Sequence, residues 1–525
     1  MSGGGTLLQD AMQRHQAGDL AGAEPLYRRL LQAEPKNPRG LHLLGVLMLQ
    51  KGNAAEALRL SRRATAIAPS DPALWRHQAE LLTRIGRDAE ALACLERLLT
   101  MVPGAADVWI NRGSVLAALG RHAEALSSFD HALGLEPGSA TALGNRGLAL
   151  LELGEADAAL ETFDHALAQQ PNHPEAHNNR GLALQALDRH EDAVASFDRA
   201  LGLQADFPDA LNHRGVSLQA VGQAGAALAS YEAAIARRPD DPWFHWNAGL
   251  CRLLLGDYAR GWPDYEWRLR TGSIRTQRFD RPMWQGESLA GRTLLLHTEQ
   301  GLGDIIQFSR YASLIETAGR VILHAPAPGS RPPRFDLHCP LLSLPARFGS
   351  TLADLPSAVP YLAVVPEAVA RWRDRLGEGG RKVGICWQGN PAVRIDRERS
   401  VPLTAFAPLA AVPGLRLISL QKGYGLQQLP DLPAVETLGP NGPDNFIDTA
   451  AVMQCLDLIV TSDTAVAHLA GALARPTWLA TSFVPDWRWG LTGKACAWYP
   501  TLRLFRQPRA GDWRSVFEAM AAALD

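Results

Sequence analysis

At 525 residues the chain is too long for one ordinary domain and long enough to bury several cores. Its 52 Lys and Arg against 54 Asp and Glu leave a formal net charge of −2. That balance removes the electrostatic argument for non-specific binding to nucleic acid or to an anionic membrane. The 6 cysteines stand far apart with no CxxC pair, so reduced thiols in a cytoplasmic protein fit better than a disulfide scaffold or a zinc site. No run of about 18 apolar residues is present and the first residues carry no basic-then-apolar signal. Neither a membrane span nor a secretory leader is therefore expected.

The first element in the chain is a repeat. Prolines recur at multiples of 34 residues, at Pro35, Pro69, Pro103, Pro137, Pro171 and Pro239, with Ala205 in the one vacant slot. A small-residue column runs Ala11, Gly45, Ala79, Gly113, Gly147, Gly181, Gly215 and Gly249, and an alanine column runs from Ala23 to Ala227 at the same period. Small residues in mid-helix let two antiparallel helices approach. A second glycine column (Gly18, Gly52, Gly86, Gly120, Gly154, Gly222, Gly256) is expected to end each first helix in the left-handed conformation. Proline then stops the second helix. Tyr27, Leu95, Phe129, Phe163, Phe197 and Tyr231 are expected to fill the gaps between neighbouring repeats. One such hairpin cannot bury its own face, so stacking is obligatory.

This pattern resembles the tetratricopeptide repeat (TPR) family over residues 5–239, seven repeats of 34 residues. An eighth helix pair and linker occupy 240–290, with Gly249 and Tyr265 kept but Gly261 at the alanine column. The resemblance implies a concave groove that binds an extended peptide or a protein surface. Asn111, Asn145, Asn179 and Asn247 recur two residues before the glycine column, with His213 in the gap. A carboxamide both donates to and accepts from a peptide bond, so such a ladder can grip a chain without reading its side chains. It resembles the array of the O-linked N-acetylglucosamine transferases. The other reading is solvated helix residues multiplied by repeat duplication. Arg112, Arg146, Arg180 and Arg214 form a parallel column that reads as surface or inter-repeat pairing.

Past Gly291 the periodicity changes to apolar strands alternating with helices. Strands are expected at 293–297, 321–325, 383–387, 415–420, 458–461 and 477–480. Helices are expected at 305–317, 367–376, 403–411, 449–455 and 464–473. Such alternation argues for two parallel-sheet halves, with ligands at the carboxyl ends of the strands. Two strand-to-helix junctions stand out. Glu299-Gln-Gly-Leu-Gly-Asp304 places two glycines and a carboxylate where backbone amides can approach a ligand. The helix end is expected to keep Asp304 ionised, although such a carboxylate is often only a cap. At Thr461-Ser-Asp-Thr464 the free amides of a helix start, from Ala465 on, can cradle a diphosphate, with His468 one turn in. Taken alone, Asp463 reads as a cap and His468 as a core histidine.

These motifs run in order with Trp387-Gln-Gly-Asn390, Arg397-Glu-Arg-Ser400, Ser419-Leu-Gln-Lys-Gly423 and Pro485-Asp-Trp-Arg-Trp489. The ordered set resembles bacterial TPR glycosyltransferases, whose catalytic half is similar to the heptosyltransferase family (glycosyltransferase family 9). The resemblance implies an α-solenoid followed by a GT-B fold. Its acceptor-side Rossmann-like half would span 291–376 and its donor-binding half 377–525. It also implies transfer of a sugar from a nucleotide sugar without metal or other cofactor. Asp304 would be the base, and Arg399, Lys422, Asp463, Thr464, Ala465 and His468 the donor residues; for Lys422 an exposed loop lysine remains the alternative. Because some TPR transferases of this kind modify flagellin, a flagellar or surface protein held by the groove is the implied acceptor. The chain departs from the family pattern after residue 325. Only a short stretch with Pro326, Pro328, Pro332 and Pro333 precedes Phe335-Asp-Leu-His-Cys-Pro340, so the acceptor-side half is expected to be shortened. A non-catalytic TPR scaffold with a degenerate sugar-nucleotide module is the alternative.

Overall fold

A computed structural model describes residues 3–274, 279–315, 319–325, 332–392, 396–439 and 445–524. Pro326 and Pro328, and the side chain of Arg397, lie outside the described residues. By packing, the chain divides into two compact units, Met1–Ala210 and Leu211–Asp525.

Sixteen helices, from Gly3–Gln16 to Tyr258–Tyr265, pair in chain order as eight hairpins and form the helical solenoid. Their ends follow local chemistry. Asn37, Asn53, Asp71 and Ser139 cap helix starts by accepting a backbone N–H, and Pro38 and Pro72 open first turns where no amide is needed. Each repeat-end proline falls just past a helix, as Pro137 does after His122–Leu135 and Pro171 after Ala156–Gln169. The second glycine column is left-handed throughout, φ running from 71° at Gly86 to 85° at Gly256. Asp188 fills the one slot without glycine and takes the same conformation, φ 57°.

The aromatic column differs from its expected place. A Cβ on Gly113 would meet the ring of Phe129 at 2.4 Å, one on Gly147 the ring of Phe163 at 2.4 Å, and one on Gly181 that of Phe197 at 2.5 Å. Each ring thus covers the glycine of its own hairpin, sixteen residues earlier, rather than filling only the gap between repeats. That close approach is why the first-helix position must be small. The arginine column does stitch hairpins together. Arg146 donates to Asp130 of the preceding hairpin at 2.8 Å and to Thr162 of its own at 2.6 Å.

The second unit carries two all-parallel sheets. The first has three strands, β1 (Thr293–His297), β2 (Arg320–His324) and β3 (Leu337–Pro340), in the order β2-β1-β3. The second has six: β4 (Arg381–Cys386), β5 (Leu415–Ser419), β6 (Val435–Glu436), β7 (Leu458–Thr461), β8 (Thr477–Thr481) and β9 (Leu502–Arg506). Their order β6-β5-β4-β7-β8-β9 is the doubly wound arrangement, with its reversal point between β4 and β7. β3, β6, β9 and the closing helix Trp513–Ala521 were not among the expected elements. The helix expected at 305–317 is shorter, Leu302–Ser309, and tightens into a 3-10 turn at Arg310–Leu314. The helix expected at 403–411 is likewise a 3-10 turn, Leu403–Phe406, with one α-turn, Ala407–Ala410.

The eighth hairpin packs inside this unit. Trp262 donates its indole N–H to the Ser350 carbonyl at 2.8 Å, and its ring meets Trp487 edge-on at 5.4 Å. Beyond it, Arg268 is fully buried and donates to Glu299 at 2.6 Å and to Ser343 at 2.8 Å. An uncompensated guanidinium there would cost several kcal/mol, on the order of 3–5. Arg268 therefore ties the hairpin to the turn after β1.

Candidate functional site

The carboxyl ends of β1, β4, β5 and β7 converge on one cavity of about 590 Å3. From the first sheet the turn Gln300–Asp304 enters it. From the second come Gln388–Asn390 after β4, Gln421 and Lys422 after β5, and Asp463–Val466 after β7. The β4 and β7 segments flank the reversal point of the doubly wound sheet, where strand ends splay and leave a crevice.

Local folding sets each group. Gly301 is the N-cap of helix Leu302–Ser309, and Asp304 sits in its first turn instead of capping it. Gly303 lies against the other sheet's helix, where a Cβ would meet the His468 ring at 2.8 Å. This is the physical demand behind the second glycine of the turn. Helix Ala465–Ala472 starts at the cavity wall with Thr464 as N-cap, and the Thr464 side chain shares a 3.2 Å hydroxyl contact with Thr461 instead of capping. Asp463–Val466 at that helix start line the cavity, and the uncapped end of a helix favours an anion. Gln421 braces the floor: its Oε1 accepts from the Trp387 and Gln388 amides at 2.9 and 3.0 Å, and its Nε2 donates to the Gln388 and Tyr424 carbonyls at 2.7 and 2.8 Å.

Burial is the largest influence on Asp304 and raises its pKa, with Arg488 the strongest opposing charge. Asp463 is pushed up to about 6, by burial first and then by Asp486, against the pull of Arg399. His468 is buried and held neutral, its pKa well below the usual range because of burial, with Nδ1 3.0 Å from the Tyr499 hydroxyl. Its ring also stacks on Trp489 at 5.3 Å. Arg399 reaches the cavity from helix Asp396–Arg399, steadied by Asp396 at 3.2 Å. Lys422 lines the cavity and donates to the Asn445 carbonyl at 3.3 Å, which is more engagement than a bare loop lysine has.

Asp304, Arg399, Lys422, Asp463, Thr464, Ala465 and His468 therefore line one cavity. The asparagines do not form one set. Asn145 and Asn179 line a second cavity of about 210 Å3 in the first unit, with His173 and Glu175. Asn111 is exposed there. Asn247 lies in the second unit and donates to Asn212 at 2.9 Å, so it is engaged with a side chain of its own array. Sequence reasoning missed Gln421, Asp486 and Arg488. The signal for the last two was a charged pair set between aromatic residues in Asp486-Trp-Arg-Trp489. Both tryptophans are buried, and the arginine between them is only 10% exposed.

Against known proteins, the helical region matches tetratricopeptide repeat models: one at residues 14–81 and 116–187, another at 77–140 and 214–265, a third at 174–207. The N-terminal region is thus built of TPR hairpins. Among individual proteins, the chain is similar to Protein FlbA of Caulobacter vibrioides, 27% identical over 326 residues, covering 52% of this chain and 53% of that protein. It spans about half the length of that curated relative. Among solved structures it is similar to a tetratricopeptide repeat protein from Parabacteroides merdae (19% identity, TM-score 0.41, 47% of this chain and 98% of the other). It is also similar to YrrB, a TPR protein with an unusual peptide-binding site (22% identity, TM-score 0.31, 35% and 95%). Among the described residues no helix is long and apolar enough to cross a membrane.

Proposed function

We propose that the chain is a TPR glycosyltransferase of GT-B type, similar to the heptosyltransferase family, which moves a sugar from a nucleotide donor to a protein acceptor. The observation that carries this reading is the cavity at the reversal point. A carboxylate from the first sheet lies there opposite cations and a helix start from the second. Asp304 takes the proton of the acceptor hydroxyl as its oxygen bonds to the anomeric carbon. The bond from that carbon to the diphosphate oxygen breaks, and its electron pair leaves with the diphosphate. Arg399, Lys422 and the amides at Thr464–Ala465 stabilise the charge that develops there. Residues of the first unit, Asn111, Asn145 and Asn179, hold the acceptor chain.

One observation favours the scaffold alternative: the first sheet has three strands among the described residues, with no helix between β2 and β3. A panel of UDP-, GDP-, ADP- and CMP-linked sugars added to the full chain separates the two. At about 100 times its Kd, the cognate donor stabilises the second unit by roughly 2.7 kcal/mol. The shift is unchanged by chelator and smaller in Arg399→Ala, and mass spectrometry of candidate acceptors then reads transfer. A melting transition that no nucleotide or nucleotide sugar moves removes the transferase reading.

A further inference from the structure

The Arg488 side chain bridges the two sheets at the cavity. It stands on the loop after β8, yet its guanidinium is ion-paired with Asp304 on the helix that follows β1. A second nitrogen donates to Asp486 at 2.9 Å, and Nε donates to Gln307 Oε1 at 2.6 Å. The guanidinium carbon lies 4.4 Å over the Trp487 ring and 5.7 Å over that of Phe308. Both rings are buried, and the neighbouring Trp489 stacks on His468. Every nitrogen thus has a partner and the guanidinium packs against two buried rings, so this cation is held in place by the fold itself. An arginine held in that way presents a rigid fork, which a flexible lysine cannot do.

The fork meets Asp304 at one oxygen only. Oδ1 is taken by Arg488, while Oδ2 lies toward Gly301 on the turn that lines the cavity. We propose that Arg488 is a positioning residue for the proposed reaction, clamping Oδ1 of Asp304 from the opposite sheet so that Oδ2 is presented to the acceptor hydroxyl. This inference rests on the transferase reading. It adds a device that the second sheet uses to control a base on the first. Positioning within a few tenths of an ångström matters because a near-attack arrangement is lost when the reacting atoms separate.

The clamp also has an electrostatic consequence that can be measured. The groups facing Asp304 are Arg488, Asp486 and Arg399 from the second sheet, and Glu299 and the Gly301 amide from its own turn. Tyr265 faces it from the eighth hairpin, and the neutral His468 ring lies behind Gly303. Burial raises the Asp304 pKa and Arg488 lowers it more than any other charge there. Removing the clamp leaves burial unopposed by its strongest partner.

Infrared titration of the full chain tests this through the C=O stretch of the protonated carboxyl, with Asp304→Asn identifying the band. In Arg488→Gln the protonation midpoint rises by about one pH unit or more. Arg488→Lys keeps the charge without the fork, and its midpoint falls between Gln and wild type. If Arg488→Gln does not fold, Arg488→Lys and Asp486→Asn decide: the first raises the midpoint, and the second lowers it by removing a like charge. Variants that titrate as wild type overturn the assignment. A chain that binds no nucleotide sugar but shows the shift loses the transferase reading and keeps the clamp. One that binds donor with an unmoved midpoint keeps the reading and loses the clamp. With an active donor in hand, the acid limb of the pH–rate profile moves with the infrared midpoint.

Discussion

In the first unit Gly113, Gly147 and Gly181 each lie beneath a ring sixteen residues on, at nearly the same 2.4–2.5 Å from an added Cβ. In the second unit Gly303 lies against His468 at 2.8 Å and Gly471 against Tyr499 at 2.3 Å, each contact occurring once. The physical problem is the same in both, close approach of two helices or of a helix and a ring. The solenoid solves it by repetition, so each glycine answers to a ring at a fixed offset. The α/β unit solves it with pairs 165 and 28 residues apart; Gly303 and His468 line the cavity, and Tyr499 touches His468 through its hydroxyl at 3.0 Å. Loss of one solenoid contact is local. Loss of one cavity contact reaches the groups that would do chemistry.

The largest effect expected from that contrast is at Asp304. Asp304→Asn keeps the size and the first-turn position but cannot accept a proton. Transfer in a single-turnover assay falls by about 10²- to 10⁴-fold. Donor affinity, set by Arg399 and the Thr464–Ala465 helix start on the other sheet, stays within a few-fold. A variant that still transfers near the wild-type rate would show that the carboxylate is structural, and the two units would then differ less than we argue.

Next in size is a pair of opposed titrations inside the second unit. His297, at the end of β1, is held down to about 4, by burial first and then by His338 and His324. Its Nε2 lies 3.2 Å from His338 Nδ1. Against an unfolded value near 6.5, its neutral form contributes stability that is complete above pH ~6.5 and lost as pH falls toward 4. Asp463 runs the other way, with a folded value of about 6 against 3.8. Its contribution is complete below about pH 4 and lost as pH rises through 6. Each spans about two pH units, on the order of 3 kcal/mol. Relative to wild type, His297→Gln therefore gains stability as pH drops from 6.5 to 4, and Asp463→Asn gains as pH rises from 4 to 6.5. Urea unfolding followed by tryptophan fluorescence at half-unit intervals reads both differences. Parallel curves for either variant and wild type would mean that the group is better solvated than its burial indicates.

How far each region could be read beforehand follows from the same contrast. The left-handed glycine column, the helix-stopping prolines and the alanine column were legible because every position is sampled several times at one offset. The placement of Phe129 or Phe163 over its own glycine was not, because an offset of sixteen residues fits either neighbour until the helices are in place. In the second unit the buried strands 293–297 and 458–461 and the helix after Thr464 were plain from apolar runs bounded by polar turns. The two-residue strand Val435–Glu436 and the edge strand Leu502–Arg506, with arginines at 503 and 506, carry no such pattern. Asp304, Arg399 and Asp463 could be named because they sit at strand-to-helix turns. Arg488 could not, since its role depends on Asp304, 184 residues away, and on two tryptophans that by themselves read as loop packing.

The smallest effect expected tests the repetition itself. Asp188 holds the left-handed turn that glycine holds in the other hairpins, φ 57° against 81° at Gly154. Its backbone does the same work: the Asp188 amide donates to the Gln185 carbonyl at 3.1 Å, as Gly154 does to Leu151 at 3.0 Å. The side chain is exposed, so the residue's own contribution is limited to the strain of a Cβ in that region. Aspartate tolerates it better than most residues, and glycine removes it altogether. Glycine also loosens the unfolded chain, which returns part of the gain. Asp188→Gly is therefore expected to stabilise the first unit by about 0.5–1 kcal/mol, and Asp188→Ala to destabilise it by a similar amount. Thermal unfolding followed by helical circular dichroism measures both. If Asp188→Gly lowers the transition while Asp188→Ala leaves it unchanged, the carboxylate at this turn makes an interaction of its own. The sixth hairpin would then not be equivalent to its neighbours.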